Sequence, residues 1–282
     1  MLSLDKIVWL YAEITNLCNA HCPACARNNN GYGIKEGLKL DSVDPSKFLA
    51  VLNQLPNLNT VQMCGTYGDP IASNWFRPIV DMCVARKFNV RIHTNASLKT
   101  RDWWSDLAES IVNTEHTIIF GIDGLADTHA YYRQGTNFDK IIENATAFIA
   151  AGGQAEWQFL TFKHNIHQIK DCMRISQELG FKKFTVKKSI RIPTPARNYL
   201  TGEAYIIESD VDFSSIFNNN EKILTAEDCM HLSYPSIYMN ADGTLTPCCY
   251  LTDVVYDGNN IDQEFLDRCK ISCGKLTVAH KN

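Results

Sequence analysis

Short β-rich apolar runs alternate with helical patterns over roughly the first 190 residues, and this alternation constrains the fold more than any other feature. Ile7 to Ile14 reads as a first strand. Pro45 to Leu55 reads as a helix with Asp44 as its N-cap and Pro45 at its first position. Strands follow at Thr60 to Cys64, Asn89 to Thr94, Thr117 to Ile122, Ala155 to Phe162 and Phe184 to Lys188. Between them lie helices at Trp75 to Lys87, Asp102 to Val112, Phe138 to Ala151 and His167 to Leu179. Gly152 and Gly153 supply a stop for the third of these and Gly180 for the fourth. Such βα repetition implies a parallel sheet with helices outside it, joined by right-handed crossovers that curl the sheet one way. Six units are too few for a closed eight-stranded barrel, so the expected fold is α/β, a partial (β/α)6 barrel with an open side. A flat doubly wound sheet is the alternative. In either, ligands gather at the C-terminal ends of the strands.

The pattern changes after Arg191, where Pro193 and Pro195 interrupt it. A boundary near residue 200 divides the chain into 1–199 and a smaller extension, 200–282. The chain has 282 residues and a net charge of -4, with its basic residues scattered, so a nucleic-acid-binding surface is not expected. No apolar run is long enough to span a bilayer, and Met1 to Asp5 lacks the features of a signal peptide, which points to a cytoplasmic protein. Eleven cysteines cannot all pair within one chain. In a reducing compartment, clustered cysteines point to metal or catalysis. Isolated ones, here Cys64, Cys83 and Cys172, are expected to be small buried apolar residues.

Cys18, Cys22 and Cys25 lie within eight residues directly after the first strand. Three thiolates so close can wrap one inorganic cluster. A [4Fe-4S] cube normally takes four cysteines, so three leave one iron free to bind a substrate or cofactor. A Cys3His zinc site using His21 is the competing reading, weakened because adjacent residues seldom converge on one tetrahedral ion. A thioredoxin-like pair at Cys22 and Cys25 leaves Cys18 unexplained.

The C-x3-C-x2-C triplet after strand one of a βα series resembles the radical S-adenosylmethionine (SAM) superfamily. In that family the open iron chelates the amino and carboxylate groups of SAM. One-electron cleavage then yields a 5′-deoxyadenosyl radical that removes a hydrogen atom from the substrate, and the protein orients the partners. Gly65-Thr66-Tyr67-Gly68-Asp69-Pro70, after strand two, is similar to the family's Gly-Gly-Glu-Pro element, with Asp69 in place of the usual Glu. Thr94-Asn95-Ala96 resembles its Thr-Asn-Gly turn. Gly121-Ile122-Asp123-Gly124 with downstream Tyr132-Arg133 resembles its Ser-x-Asp-Gly and Tyr-Arg. The resemblance implies that Gly68, Asp69, Asn95, Asp123 and Arg133 contact SAM. The chain departs from the family pattern at Ala24, where relatives carry an aromatic residue near the adenine, and at Gly121, where relatives carry a ribose-contacting Ser.

Five cysteines fall between Cys229 and Cys273. The C-x13-G-x4-C spacing of Cys229, Gly243 and Cys248 resembles the SPASM and twitch extensions of one branch of this superfamily. Asp242-Gly243 suits the hairpin that such a site turns on. The shorter twitch form, with one auxiliary [4Fe-4S] cluster on Cys229, Cys248, Cys269 and Cys273, is the nearer match. Cys249 is an alternative to Cys248, and a tetrahedral zinc is the rival occupant.

The implied activity is that of an oxidoreductase: hydrogen abstraction from a small organic or peptide substrate, with loss of a second electron to the auxiliary cluster. Flavodoxin or ferredoxin would be the electron donor. A base near the substrate radical would take its proton, and His93, Lys187, Lys188 and Arg191 are the strand-end candidates. The runner-up is a ribosomal-peptide maturase that crosslinks or epimerises residues. Those relatives often carry a peptide-binding domain before the barrel, for which a first strand near residue 7 leaves no room. A protein-radical activase and a non-catalytic metal-binding module are weaker alternatives.

Overall fold

In a computed structural model of the chain, the described residues are 3–112, 115–189, 194–209 and 235–246. Six strands, β1 (Trp9–Ala12), β2 (Thr60–Met63), β3 (Asn89–Thr94), β4 (Thr117–Gly121), β5 (Ala155–Thr161) and β6 (Lys183–Lys188), pair in parallel in chain order. β7 (Thr194–Arg197) and β8 (Ala204–Ile207) form a separate antiparallel hairpin. β9 (Ser236–Met239) lies parallel to β1 on its other side, and β10 (Leu245–Thr246) folds back antiparallel on β9. The main sheet therefore has the order β10-β9-β1-β2-β3-β4-β5-β6.

The crossover helices are α1 (Pro45–Asn53), α2 (Phe76–Ala85), α3 (Arg101–Ile111), the single-turn α4 (His129–Tyr132), α5 (Phe138–Ala150) and α6 (Ile169–Glu178). Several begin where the sequence offers a side-chain acceptor for the unpaired amides of a first turn. Asp44 accepts from Ser46 N and Lys47 N, Thr100 from Trp103 N, and Asn137 from Lys140 N. α5 ends where Gly152 takes a φ of +91°, a conformation open to glycine without a Cβ penalty.

Strand alternation divides the sheet into two chemical faces. On β5, Ala155, Trp157 and Phe159 are buried under the helices, while Glu156, Gln158 and Leu160 turn to the other face and are only partly buried. β3 repeats this, with Val90 and Ile92 in the core and Arg91 and His93 opposite. The helix-side core is aromatic at its centre, where Trp104, Phe120 and Phe148 meet edge-on or tilted with centroids 5.3–6.0 Å apart. Cys83 and Cys172 lie in this core, as expected. A smaller apolar cluster, including Ala196 of β7 and Ile207 of β8, packs the hairpin against Cys22, Tyr132 and Phe162. Pro195, read as a break, sits in β7, where a two-stranded ribbon tolerates its missing N–H.

Candidate cofactor and substrate cavity

A cavity of about 300 Å³ opens at the C-terminal ends of β1 to β5. Cys18, Cys22 and Cys25 all line it. They sit on the loop after β1, which is held in shape by hydrogen bonds within the loop and to Gln134. Cys25 N donates to Cys22 O at 3.1 Å, Asn28 Nδ2 donates to the same oxygen at 3.1 Å, and His21 N donates to Gln134 O at 2.7 Å. Ala20 N points at Cys18 Sγ at 3.3 Å, and Asn95 Nδ2 lies 3.7 Å from that sulfur. Burial, then the charge of Asp69, pushes the Cys18 thiol up. The three thiols line one cavity without closing on a point: among the described residues no three His, Cys, Asp or Glu side chains form a single-ion site. His21 is absent from the cavity wall, its ring stacked on Tyr199 with centroids 4.3 Å apart.

The loop after β2 forms the facing wall, and its two glycines are dictated by close backbone approach. A Cβ on Gly65 would stand 2.1 Å from Gly68 O, and one on Gly68 would stand 2.0 Å from Thr15 O. Glu13, at the end of β1, anchors this loop. Its Oε1 accepts from Tyr67 N at 2.7 Å and Gly68 N at 3.0 Å, and its Oε2 accepts from Tyr238 Oη at 2.5 Å. Burial raises the Glu13 carboxyl, against the pull of these donors. Sequence reasoning missed Glu13. The available signal was a carboxylate inside an otherwise apolar run, directly after Ala12 and before Ile14.

Asp69 lines the cavity, yet its oxygens are largely taken up by the protein itself. They accept from Thr94 Oγ1 at 2.9 and 3.0 Å, Asn95 N at 2.7 Å and Ile71 N at 3.0 Å. Asp69 thus ties the β2 loop to the turn after β3. In that turn Ala96 adopts a φ of +56°, which accounts for glycine at this place in the related motif. Asp123 is fully buried, accepting from Leu160 N at 2.8 Å and from Arg133 Nε at 2.6 Å. The pair carries the Arg133 guanidinium across Gly121, where a Cβ would meet Arg133 Nη2 at 2.8 Å. A serine here, as in the related motif, would meet that guanidinium, which would have to shift.

Of the base candidates, His93 lines the cavity. Burial, reinforced by the charges of Lys187 and Arg91, lowers it to about 3, so it is a neutral imidazole of reduced basicity. Lys187 lies on the same face as Thr185 and close enough to act on His93 and Cys64. Lys188 takes the face of Phe184 and Val186, which pack on the helix-side core. Cys64 differs from expectation: it is only partly buried and lines the cavity. Its position at the end of β2, one residue past Met63, puts it on the inner face. Arg191, Cys229, Cys248, Cys249, Cys269 and Cys273 lie outside the described residues. The Asp242–Gly243 turn that precedes Cys248 is described: Gly243 has a φ of +91° and joins β9 to β10. Among the described residues no helix is long and apolar enough to cross a membrane.

Solved structures share this fold at low sequence identity. Streptococcus suis SuiB aligns with a TM-score of 0.65 at 16% identity, over 89% of this chain and 63% of its own. The chain therefore spans under two thirds of that relative. SuiB bound to precursor peptide SuiA aligns with a TM-score of 0.63 at 16% identity, over 87% and 60%. Native anSMEcpe with bound AdoMet and Cp18Cys peptide aligns with a TM-score of 0.57 at 16% identity, over 95% and 82%. No curated protein sequence is similar enough to count as a relative. The profile of the Radical SAM superfamily matches residues 12–192, which include the cysteine triplet, both glycine loops and the Asp123–Arg133 pair, and the chain belongs to that superfamily.

Proposed function

We propose that this enzyme generates a 5′-deoxyadenosyl radical and abstracts a hydrogen atom from a peptide or small organic substrate, in a net two-electron oxidation. The observation that carries the reading is the convergence on one cavity of three cysteines from β1, the glycine loop of β2, Asn95 and Arg133. Cys18, Cys22 and Cys25 would hold a [4Fe-4S] cluster, and the donor set fits one: three thiols along a single wall, with room in front of them. When bound, the cluster and SAM supply the radical.

The chain's own residues position and neutralise. Arg133, cationic and fixed by Asp123, offers its free guanidinium nitrogens to a carboxylate. Gly65 to Gly68 present backbone at close range, held rigid by Glu13. Asp69 and Asn95 set the spacing between the two loops, with Asn95 Nδ2 directed at Cys18 and Asn19. Among the described base candidates His93 is the one that lines the cavity, as a neutral imidazole whose basicity burial reduces. Cys229, Cys248, Cys269 and Cys273 would hold an auxiliary cluster that accepts the second electron, and the β9–β10 hairpin leading to Cys248 supports this. The peptides named with SuiB and anSMEcpe favour a peptide substrate. A flavodoxin or ferredoxin would supply the first electron.

Anaerobic reconstitution, followed by dithionite and SAM, should yield 5′-deoxyadenosine in the wild type and none in Cys18→Ala. Equal yields would sink the radical reading. Iron near eight per chain supports two cubes, whereas about four with one zinc assigns the second site to zinc.

A further inference from the structure

The inner face of the sheet divides into two halves of opposite character. At the cofactor end the carboxylates Asp69 and Asp123 are each taken up by three or more donors from within the chain or by an arginine. Elsewhere on this face, the inward positions of β3, β5 and β6 carry Arg91, Glu156, Lys183 and Lys187, the two lysines exposed, and those of β2 and β4 carry no charge. Arg91 and Glu156 cancel in an ion pair of 3.2 Å. Two lysines remain, on a chain whose net charge is -4. Glu13, the carboxylate whose charge reaches Cys64, is saturated by Tyr67, Gly68 and Tyr238.

Several polar groups here have no partner in the fold. Among the described residues, the side chains of His93, Gln158 and Lys187 make no hydrogen bond, and His93 and Gln158 line the cavity. Lys187 pairs in register with Leu160, which also lines it. Burial lowers the Lys187 ammonium and the charges of Cys64 and Glu156 oppose this only in part, while among the described residues no carboxylate lies within ion-pair distance of it. A cation without a counter-ion in a polar cavity is stabilised by an arriving anion.

We propose that the substrate is acidic, and that Lys187, exposed at the β6 edge of the cavity beside Leu160, receives its carboxylate, with Gln158 and His93 as neighbouring hydrogen-bond partners. This names the substrate class of the site read above and rests on that reading. The carboxylate belongs to a free acid or to an acidic residue of a peptide, and the chemistry at Lys187 is the same.

Cys64, which lines the cavity and feels the Lys187 charge, supplies a reporter. In the reconstituted enzyme without SAM, iron shields the cluster cysteines. Cys64 can then be alkylated with iodoacetate or with its neutral twin iodoacetamide and followed by mass spectrometry. Any change in thiol reactivity affects both reagents alike, so the ratio of the two rates reports the field at Cys64. We expect the ratio to fall about tenfold in Lys187→Gln. Lys187→Arg should keep the wild-type ratio, and Cys83 should stay unmodified as a check on folding. Raising the salt should lower the wild-type ratio without any substitution. A ratio indifferent to Lys187→Gln and to salt overturns the proposal.

A second arm identifies the source, by protection of Cys64 against iodoacetamide. Protection by acetyl-Gly-Glu-Gly-amide but not by its Gln twin assigns an acidic peptide, and protection by succinate alone assigns a small acid. Equal protection by both twins, or by no carboxylate, overturns the proposal. Neither arm needs turnover, so absence of 5′-deoxyadenosine would remove the radical reading while leaving the anion subsite standing.

Discussion

Gly121 is where this chain departs from its family with a visible cause. Its missing side chain admits the Arg133 guanidinium. Restoring the family serine in Gly121→Ser should therefore weaken SAM binding, not improve it, because Arg133 must leave Asp123 or the cavity. We expect a dissociation constant about tenfold higher by equilibrium dialysis. His129 shows the same kind of commitment away from the cavity. It is fully buried, its Nδ1 accepts from Asp123 N at 3.1 Å, and burial lowers it to about 4. Because the folded imidazole resists a proton that the unfolded one takes near 6.5, its contribution to stability is present above that value. It is lost as the pH falls towards 4. Urea unfolding between pH 6 and 5 should show the wild type losing about 1 kcal/mol more per pH unit than His129→Asn.

At the scale of elements, local chemistry and tertiary pairing contribute differently. α1 starts at Pro45 because Asp44 satisfies two amides of its first turn, and the sequence shows this directly. Asp44→Ala should cost about 1 kcal/mol and lower the melting temperature by about 2–4 °C in a calorimetric scan. The strands carry a subtler message. Parallel strands covered on both faces read as continuous apolar runs, yet β3 and β5 alternate. The alternation marks an inner face that is a polar cavity and not a filled core. The strand boundaries were legible to within a residue or two for β2 to β6. β1 is shorter than its apolar run, since only Trp9 to Ala12 find ladder partners on both sides.

Across the whole molecule, the segment beyond residue 200 is tied into the main sheet. β9 covers the outer edge of β1, and Tyr238 on β9 reaches across to Glu13 and so to the glycine loop. A chain ended at Ser209 would expose the β1 edge and leave the Glu13 carboxylate short of a donor in a buried place. Such a truncation should express mainly as insoluble protein. Any soluble fraction should melt well below the full chain by circular dichroism.

The sequence by itself determined the six βα units, the Asp44 cap of the first helix, and the cysteine triplet at the strand-one end of the sheet. These are local: a cap, a periodicity and a spacing each act over a few residues. Only the tertiary structure decided the rest. It brought Cys64 and His93 to the same cavity as Cys18, gave Glu13 its role beneath the glycine loop, and set Arg133 in the space of a missing serine side chain. Those relations join residues up to 225 positions apart, as Glu13 and Tyr238 are, and no local pattern specifies which distant strand will lie alongside. The triplet is thus one wall of a site whose other walls come from contacts that exist only once the sheet has closed around it.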